Sequence, residues 1–112
     1  MGKLETLDGA GAVGYTHAVH AIGTVESGTV TPLAANGHLQ SLTNNGAFTL
    51  APPVTNTTLV IHVTNGAAAG AITTSGWTLV DGDDLTVTDE DQFLLYAATS
   101  GDVSHLSVRA LQ

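Results

Sequence analysis

The chain contains no cysteine among its 112 residues, so disulfide staples, a thiol nucleophile and a thiolate metal site are all excluded. Positive charge is nearly absent as well. Lys3 and Arg109 stand against ten Asp and Glu residues, for a formal net charge of -8. Two cations cannot neutralise a row of phosphates, and the acidic excess repels that polymer, so direct binding to DNA or RNA is excluded. Aromatic residues make up 4% of the chain, which leaves few side chains for stacking on a ligand. No stretch is long and apolar enough to span a bilayer, and the N-terminus lacks a basic region followed by an apolar one. The expectation is a soluble protein without a membrane partner.

What is present is threonine, alanine, β-branched residues and 13 glycines. A chain of this mass buries about 65% of its unfolded surface on folding, enough for one modest core. Residues 1–21 form a Gly- and Ala-rich segment with scattered apolar residues, Leu4, Leu7, Val13, Tyr15 and Val19. Such a segment loses much backbone entropy on ordering and offers little side-chain area in return. It is expected to be an extended arm that orders against a partner or stays mobile, and those five residues are its candidate contacts. Residues 22–112 are expected to form a single β domain.

From Ile22 onward, short apolar-alternating runs are separated by turn residues, the pattern of successive antiparallel strands. Candidate strands cover 22–31, with an interruption at Ser27-Gly28, then 39–43 and 47–50, joined by a tight hairpin at Asn44-Asn45-Gly46. The run 58–64 is apolar on nearly both faces and reads as central. Further strands are expected at 71–73, 77–80, 85–88, 93–97 and 105–110. Helical periodicity is missing, and no internal repeat is evident. The expected fold is all-β, a small antiparallel sandwich or barrel preceded by the arm. Its expected core is Leu50, Leu59, Ile61, Val63, Trp77, Phe93, Leu95, Leu106 and Val108.

Several side-chain groupings carry chemistry only weakly. His17 and His20 are spaced like metal ligands but lack a thiol or a scaffold to complete a site. The acidic turns Asp81-Gly82-Asp83-Asp84 and Asp89-Glu90-Asp91 have oxygen ligands for calcium without the EF-hand spacing, and ordinary turn chemistry explains them. No G-x-S-x-G context positions a nucleophile. The expectation is a non-enzymatic protein with no catalytic residues, no cofactor and no metal. Low charge and many Thr and Ala side chains suit flat contact with other protein, including copies of itself.

Residues 36–53 (NGHLQSLTNNGAFTLAPP), 63–80 (VTNGAAAGAITTSGWTLV) and 104–112 (SHLSVRALQ) resemble small structural proteins of tailed double-stranded DNA bacteriophages. In length, and in having an arm ahead of a β domain, the chain also resembles phage capsid decoration (cement) proteins. That resemblance implies a homotrimer, made in the host cytoplasm, that binds the major capsid protein on the outer surface of the virion head and bridges capsid subunits, with Leu4, Leu7, Val13, Tyr15 and Val19 of the arm as its capsid contacts. A phage tail or fibre-tip subunit is the alternative. A carbohydrate-binding module using Trp77, Tyr15 or Tyr96 as a stacking platform is the more distant one.

Overall fold

The computed structural model describes residues 18–111, and the chain is all-β. The strands are β1 (His20–Val25), β2 (Thr29–Val30), β3 (Leu39–Asn44), β4 (Phe48–Leu50), β5 (Thr57–Asn65), β6 (Ile72–Thr74), β7 (Leu79–Gly82), β8 (Gln92–Ser100) and β9 (Val103–Leu111). A single 3-10 turn, Ala34–Asn36, precedes β3 and ends at Gly37 with φ 102°. The strand β1 starts inside the segment assigned to the arm, with His20 and Ala21 paired to Gln40 and Ser41.

Two sheets face each other. The larger has the order β1-β3-β5-β8-β9-β7, and the smaller has the order β2-β4-β6. Antiparallel ladders hold β5 to β8 and β8 to β9. Where successive hairpins were expected nearer the N-terminus, the chain instead winds in coils. Each turn of the chain gives one strand to each sheet, so β1, β3 and β5 run parallel, as do β2, β4 and β6. Parallel neighbours need a long crossover, and here the opposite sheet and the returning loop supply it.

The segment Asn44-Asn45-Gly46 is therefore a corner between sheets and not a hairpin. Close stacking of coils explains the glycine. A Cβ on Gly46 would meet the Glu26 carbonyl in the coil beneath, and one on Gly70 would meet the Ala47 amide nitrogen. The interruption expected at Ser27-Gly28 is the equivalent corner of the first coil. Residues 85–88, expected as a strand, join no sheet. Their carbonyls are occupied by a side chain instead, since Asn65 Nδ2 donates to Thr86 O at 2.8 Å and Thr88 O at 3.0 Å.

Alternation along each strand sends one set of side chains between the sheets. Leu50, Leu59, Ile61, Val63, Phe93, Leu95, Leu106 and Val108 are buried as expected, joined by Val25, Leu42, Phe48 and Ala97. Trp77 was expected in this core but is only partly buried. It packs against the rim, and its indole N–H donates to Leu50 O at 2.9 Å. An indole needs a partner for its N–H when it leaves water, and the end of β4 provides one there.

Three amides share the core. Gln40, Asn44 and Asn65 are at most 1% exposed. Asn44 and Asn65 stand opposite each other in the parallel ladder, with Asn44 Nδ2 donating to Asn65 Oδ1 at 3.2 Å and to Gly70 O at 2.8 Å. Asn44 Oδ1 accepts the amides of Gly46 and Gly70. Corner amides lack a ladder partner, and buried main-chain groups must find one. The asparagines supply it.

Candidate functional site

The outer face of the larger sheet is built from the residues that alternate with the core. In register across it lie Leu39, Val60, Tyr96, Ser107 and Asp81, one from each of five neighbouring strands. Among the described residues no second layer covers this face. Its middle is a shallow groove of about 520 Å³, with Leu39, Val60, Tyr96 and Ala98 along it and His38 and His105 at its sides. Tyr96, the one Phe, Tyr or Trp side chain among the groove's lining residues, is 45% exposed.

The two histidines are held by different bonds. His38 Nδ1 donates to Thr58 O at 2.6 Å. A carbonyl oxygen can only accept, so a hydrogen sits on Nδ1. His105 Nε2 lies 3.1 Å from Asp81 Oδ2 and ties β9 to the edge strand β7. The hydrogen bond from His105, and after it one from Ser107, holds the Asp81 carboxyl below its ordinary value. A third ring on this face, His62, is bonded through Nε2 to Gln92 Oε1 at 2.7 Å.

The groove thus combines a hydrocarbon floor with polar side chains already engaged by the protein. Such a surface gains free energy by losing contact with water, in proportion to the apolar area covered, at about 25 cal/mol per Å². It therefore favours contact with another apolar surface.

Of the expected contact residues, Leu4, Leu7, Val13 and Tyr15 lie outside the described residues, as does His17. Val19 lies immediately before β1 and is 56% exposed. The acidic turns are occupied locally. Asp81 pairs with His105, Asp83 Oδ2 accepts the Ala110 amide at 2.8 Å, and Asp91 Oδ2 accepts the Thr86 hydroxyl at 2.5 Å. Among the described residues no three His, Asp or Glu side chains converge as a metal site. Sequence reasoning missed the groove. Its signal was Val60, an apolar residue on the face of the 58–64 run opposite Leu59, Ile61 and Val63, which was read only as a mark of a central strand.

Comparison with protein-family models, with curated proteins and with solved structures finds no match for this chain.

Proposed function

We propose that the chain is a structural protein of a tailed-phage particle, a decoration (cement) protein that binds the major capsid protein on the outside of the head and stabilises it by bridging subunits. The observation that carries this reading is the outer face of the larger sheet, which no other described residues cover and where Leu39, Val60, Tyr96 and Ala98 line an apolar groove. The net charge of -8 supports a position away from packaged DNA. Many copies of a modest contact, repeated over a particle, give a large total attachment. The resemblance of residues 36–53, 63–80 and 104–112 to small phage structural proteins points the same way. In this reading the protein assembles as a homotrimer and performs no catalysis.

The parallel coils favour a second reading, a tail or fibre-tip subunit, because stacked coils extend along one axis. Immunogold electron microscopy of the source virion with antibody against this chain separates the two. Label over the whole head supports decoration, and label confined to the tail moves the protein there. Intact particles without label overturn both.

A further inference from the structure

The dipeptide Asn-Gly occurs three times among the described residues, at Asn36-Gly37, Asn45-Gly46 and Asn65-Gly66. It is a chemically labile link, because glycine has no Cβ to hinder attack of its amide nitrogen on the preceding side-chain carbonyl carbon. The attack needs an asparagine side chain free to turn, a glycine amide released from its hydrogen bond, and room for a five-membered ring. The fold treats the three pairs differently in each respect.

Asn65 meets none of these needs. Its side chain is 1% exposed, with Oδ1 accepting from Asn44 Nδ2 and Nδ2 donating to Thr86 O at 2.8 Å and Thr88 O at 3.0 Å. The Gly66 amide donates to Asn44 O at 2.8 Å, and a Cβ on Gly66 would lie 2.7 Å from Asn45 Oδ1. Asn45 is packed on that same glycine, and its Oδ1 accepts the Ala68 amide at 3.0 Å. The Gly46 amide donates to Asn44 Oδ1 at 3.3 Å, and Gly46 is pressed against the Glu26 carbonyl. Freeing either asparagine therefore requires opening the stacked coils.

Asn36 is the exposed last residue of the 3-10 turn Ala34–Asn36. Two backbone bonds close this turn, from the Asn36 amide to Leu33 O at 3.0 Å and from the Gly37 amide to Ala34 O at 3.1 Å. Bonds of this kind have poorer geometry than those of an α-helix. Gly37 has φ 102°, and a Cβ placed on it would meet nothing within 4 Å, so a ring has room to form. Opening the one turn releases the Gly37 amide while both sheets stay paired, and local opening of that size costs far less than global unfolding.

We propose that Asn36 is a site of spontaneous modification in the folded protein, while Asn45 and Asn65 are protected by the fold. The Gly37 nitrogen bonds to Asn36 Cγ, the Cγ–Nδ2 bond breaks, and the side-chain nitrogen leaves as ammonia with the proton of the Gly37 amide. Water then opens the cyclic imide. Opening at Cγ gives aspartate, and opening at the main-chain carbonyl carbon gives isoaspartate, with the chain running through the former side chain. Either product carries a new carboxylate two residues before His38, at the side of the apolar groove. Isoaspartate also adds a carbon to the main chain between Leu33 and Gly37, whose carbonyls both accept from Gln40 Nε2, at 2.9 Å and 3.0 Å. It thus stretches the span that this one buried amide closes. The inference does not depend on the particle reading, since it rests on the turn alone.

The test follows the full chain at mildly alkaline pH and body temperature, folded and, in parallel, in concentrated urea. Chymotryptic peptides are analysed by mass spectrometry with fragmentation that separates aspartate from isoaspartate. In urea all three pairs are expected to convert. In the folded chain residue 36 is expected to convert faster than 45 or 65 by about ten-fold or more, because a single turn opens far more often than packed strands. Comparable conversion at 45 or 65 in the folded chain, or an Asn36 that stays intact there while it converts in urea, would overturn the proposal. Asn36→Gln, whose longer side chain disfavours the ring, is expected to remove the early release of ammonia from the folded protein with an unchanged circular dichroism spectrum, and undiminished release counts against the site. Independently, the Gly37 amide is expected to exchange its hydrogen faster than those of Gly46 and Gly66, and equal protection of all three would also overturn the proposal.

Discussion

The coiled region (20–74) and the C-terminal hairpin (92–111) belong to the same sheet but are held together differently. In the hairpin, β8 and β9 turn back over Gly101 and Asp102, and each strand satisfies the main chain of the other along nine paired positions. Its inward side chains are the hydrocarbons Phe93, Leu95, Ala97, Leu106 and Val108, with the hydroxyls of Thr99 and Ser104 bonded to each other at 3.0 Å beside the turn. In the coils every strand pairs with one about twenty residues away, and the corners need help from side chains. The buried amides of Gln40, Asn44 and Asn65 give it. Parallel winding thus exchanges apolar area for directed hydrogen bonds at its corners, and it tolerates less change in shape there.

The largest expected effect tests whether the two regions are one cooperative unit. Leu42→Ala in the coils and Leu106→Ala in the hairpin are each expected to cost about 2–5 kcal/mol. Both belong to one buried cluster, so Trp77 fluorescence and far-ultraviolet circular dichroism should give coincident urea transitions in each variant. Separate transitions would divide the molecule at the β5–β8 ladder.

Next in size is the contrast between two glycines. Gly46→Ala drives a Cβ into the Glu26 carbonyl and is expected to cost about 3 kcal/mol, at the upper end of overpacking effects. Gly101 has open space around it and φ 60°, so Gly101→Ala is expected to cost only about 1–2 kcal/mol for the left-handed backbone. Equal losses in chemical denaturation would remove the distinction between corner and turn.

Asn44→Ala comes third. It strands the amides of Gly46 and Gly70 and the carbonyl of Gly70, at about 1–3 kcal/mol for a buried group left unpaired. Hydrogen exchange should accelerate at the Gly46 and Gly70 amides, while the β8–β9 amides keep their protection.

The smallest effect lies at the β7 edge. Because the folded-state value of Asp81 is lowered, chiefly by the His105 hydrogen bond, its contribution is present above the ordinary carboxylate value of 3.8 and is lost as pH falls below it. Asp81→Asn should therefore lower stability slightly at neutral pH, leave it unchanged in strong acid, and so flatten the acid limb of the stability profile. An Asp81 carboxyl titration by NMR with its midpoint at or above 3.8 would contradict the bonding to His105.

Much of this was legible in the sequence. Alternation located β5, β8 and β9 and their buried residues, and Pro52-Pro53 correctly ended β4. The corners were misread because Asn-Asn-Gly is also the signature of a tight hairpin, and a local motif does not say which sheet the next strand enters. One clue to the coils was available. Thr43-Asn44 and Thr64-Asn65, each followed closely by Gly and Ala, are equivalent positions on adjacent turns of the chain. An asparagine in a turn-like string suggests exposure, yet both are buried because coil stacking closes over them.

The sequence by itself determined the β class, most of the strand positions, most of the apolar core and the net negative charge. Those properties follow from side-chain period and composition, which act locally or as sums over the chain. Tertiary structure alone decided the pairing directions, the inward turn of Asn44 and Asn65, the half-buried place of Trp77 and the groove at Val60 and Tyr96. A strand's period of two is the same in parallel and antiparallel ladders, so the choice rests on contacts between residues about twenty positions apart. The groove exists only where Val60, on one face of β5, meets Tyr96 on β8.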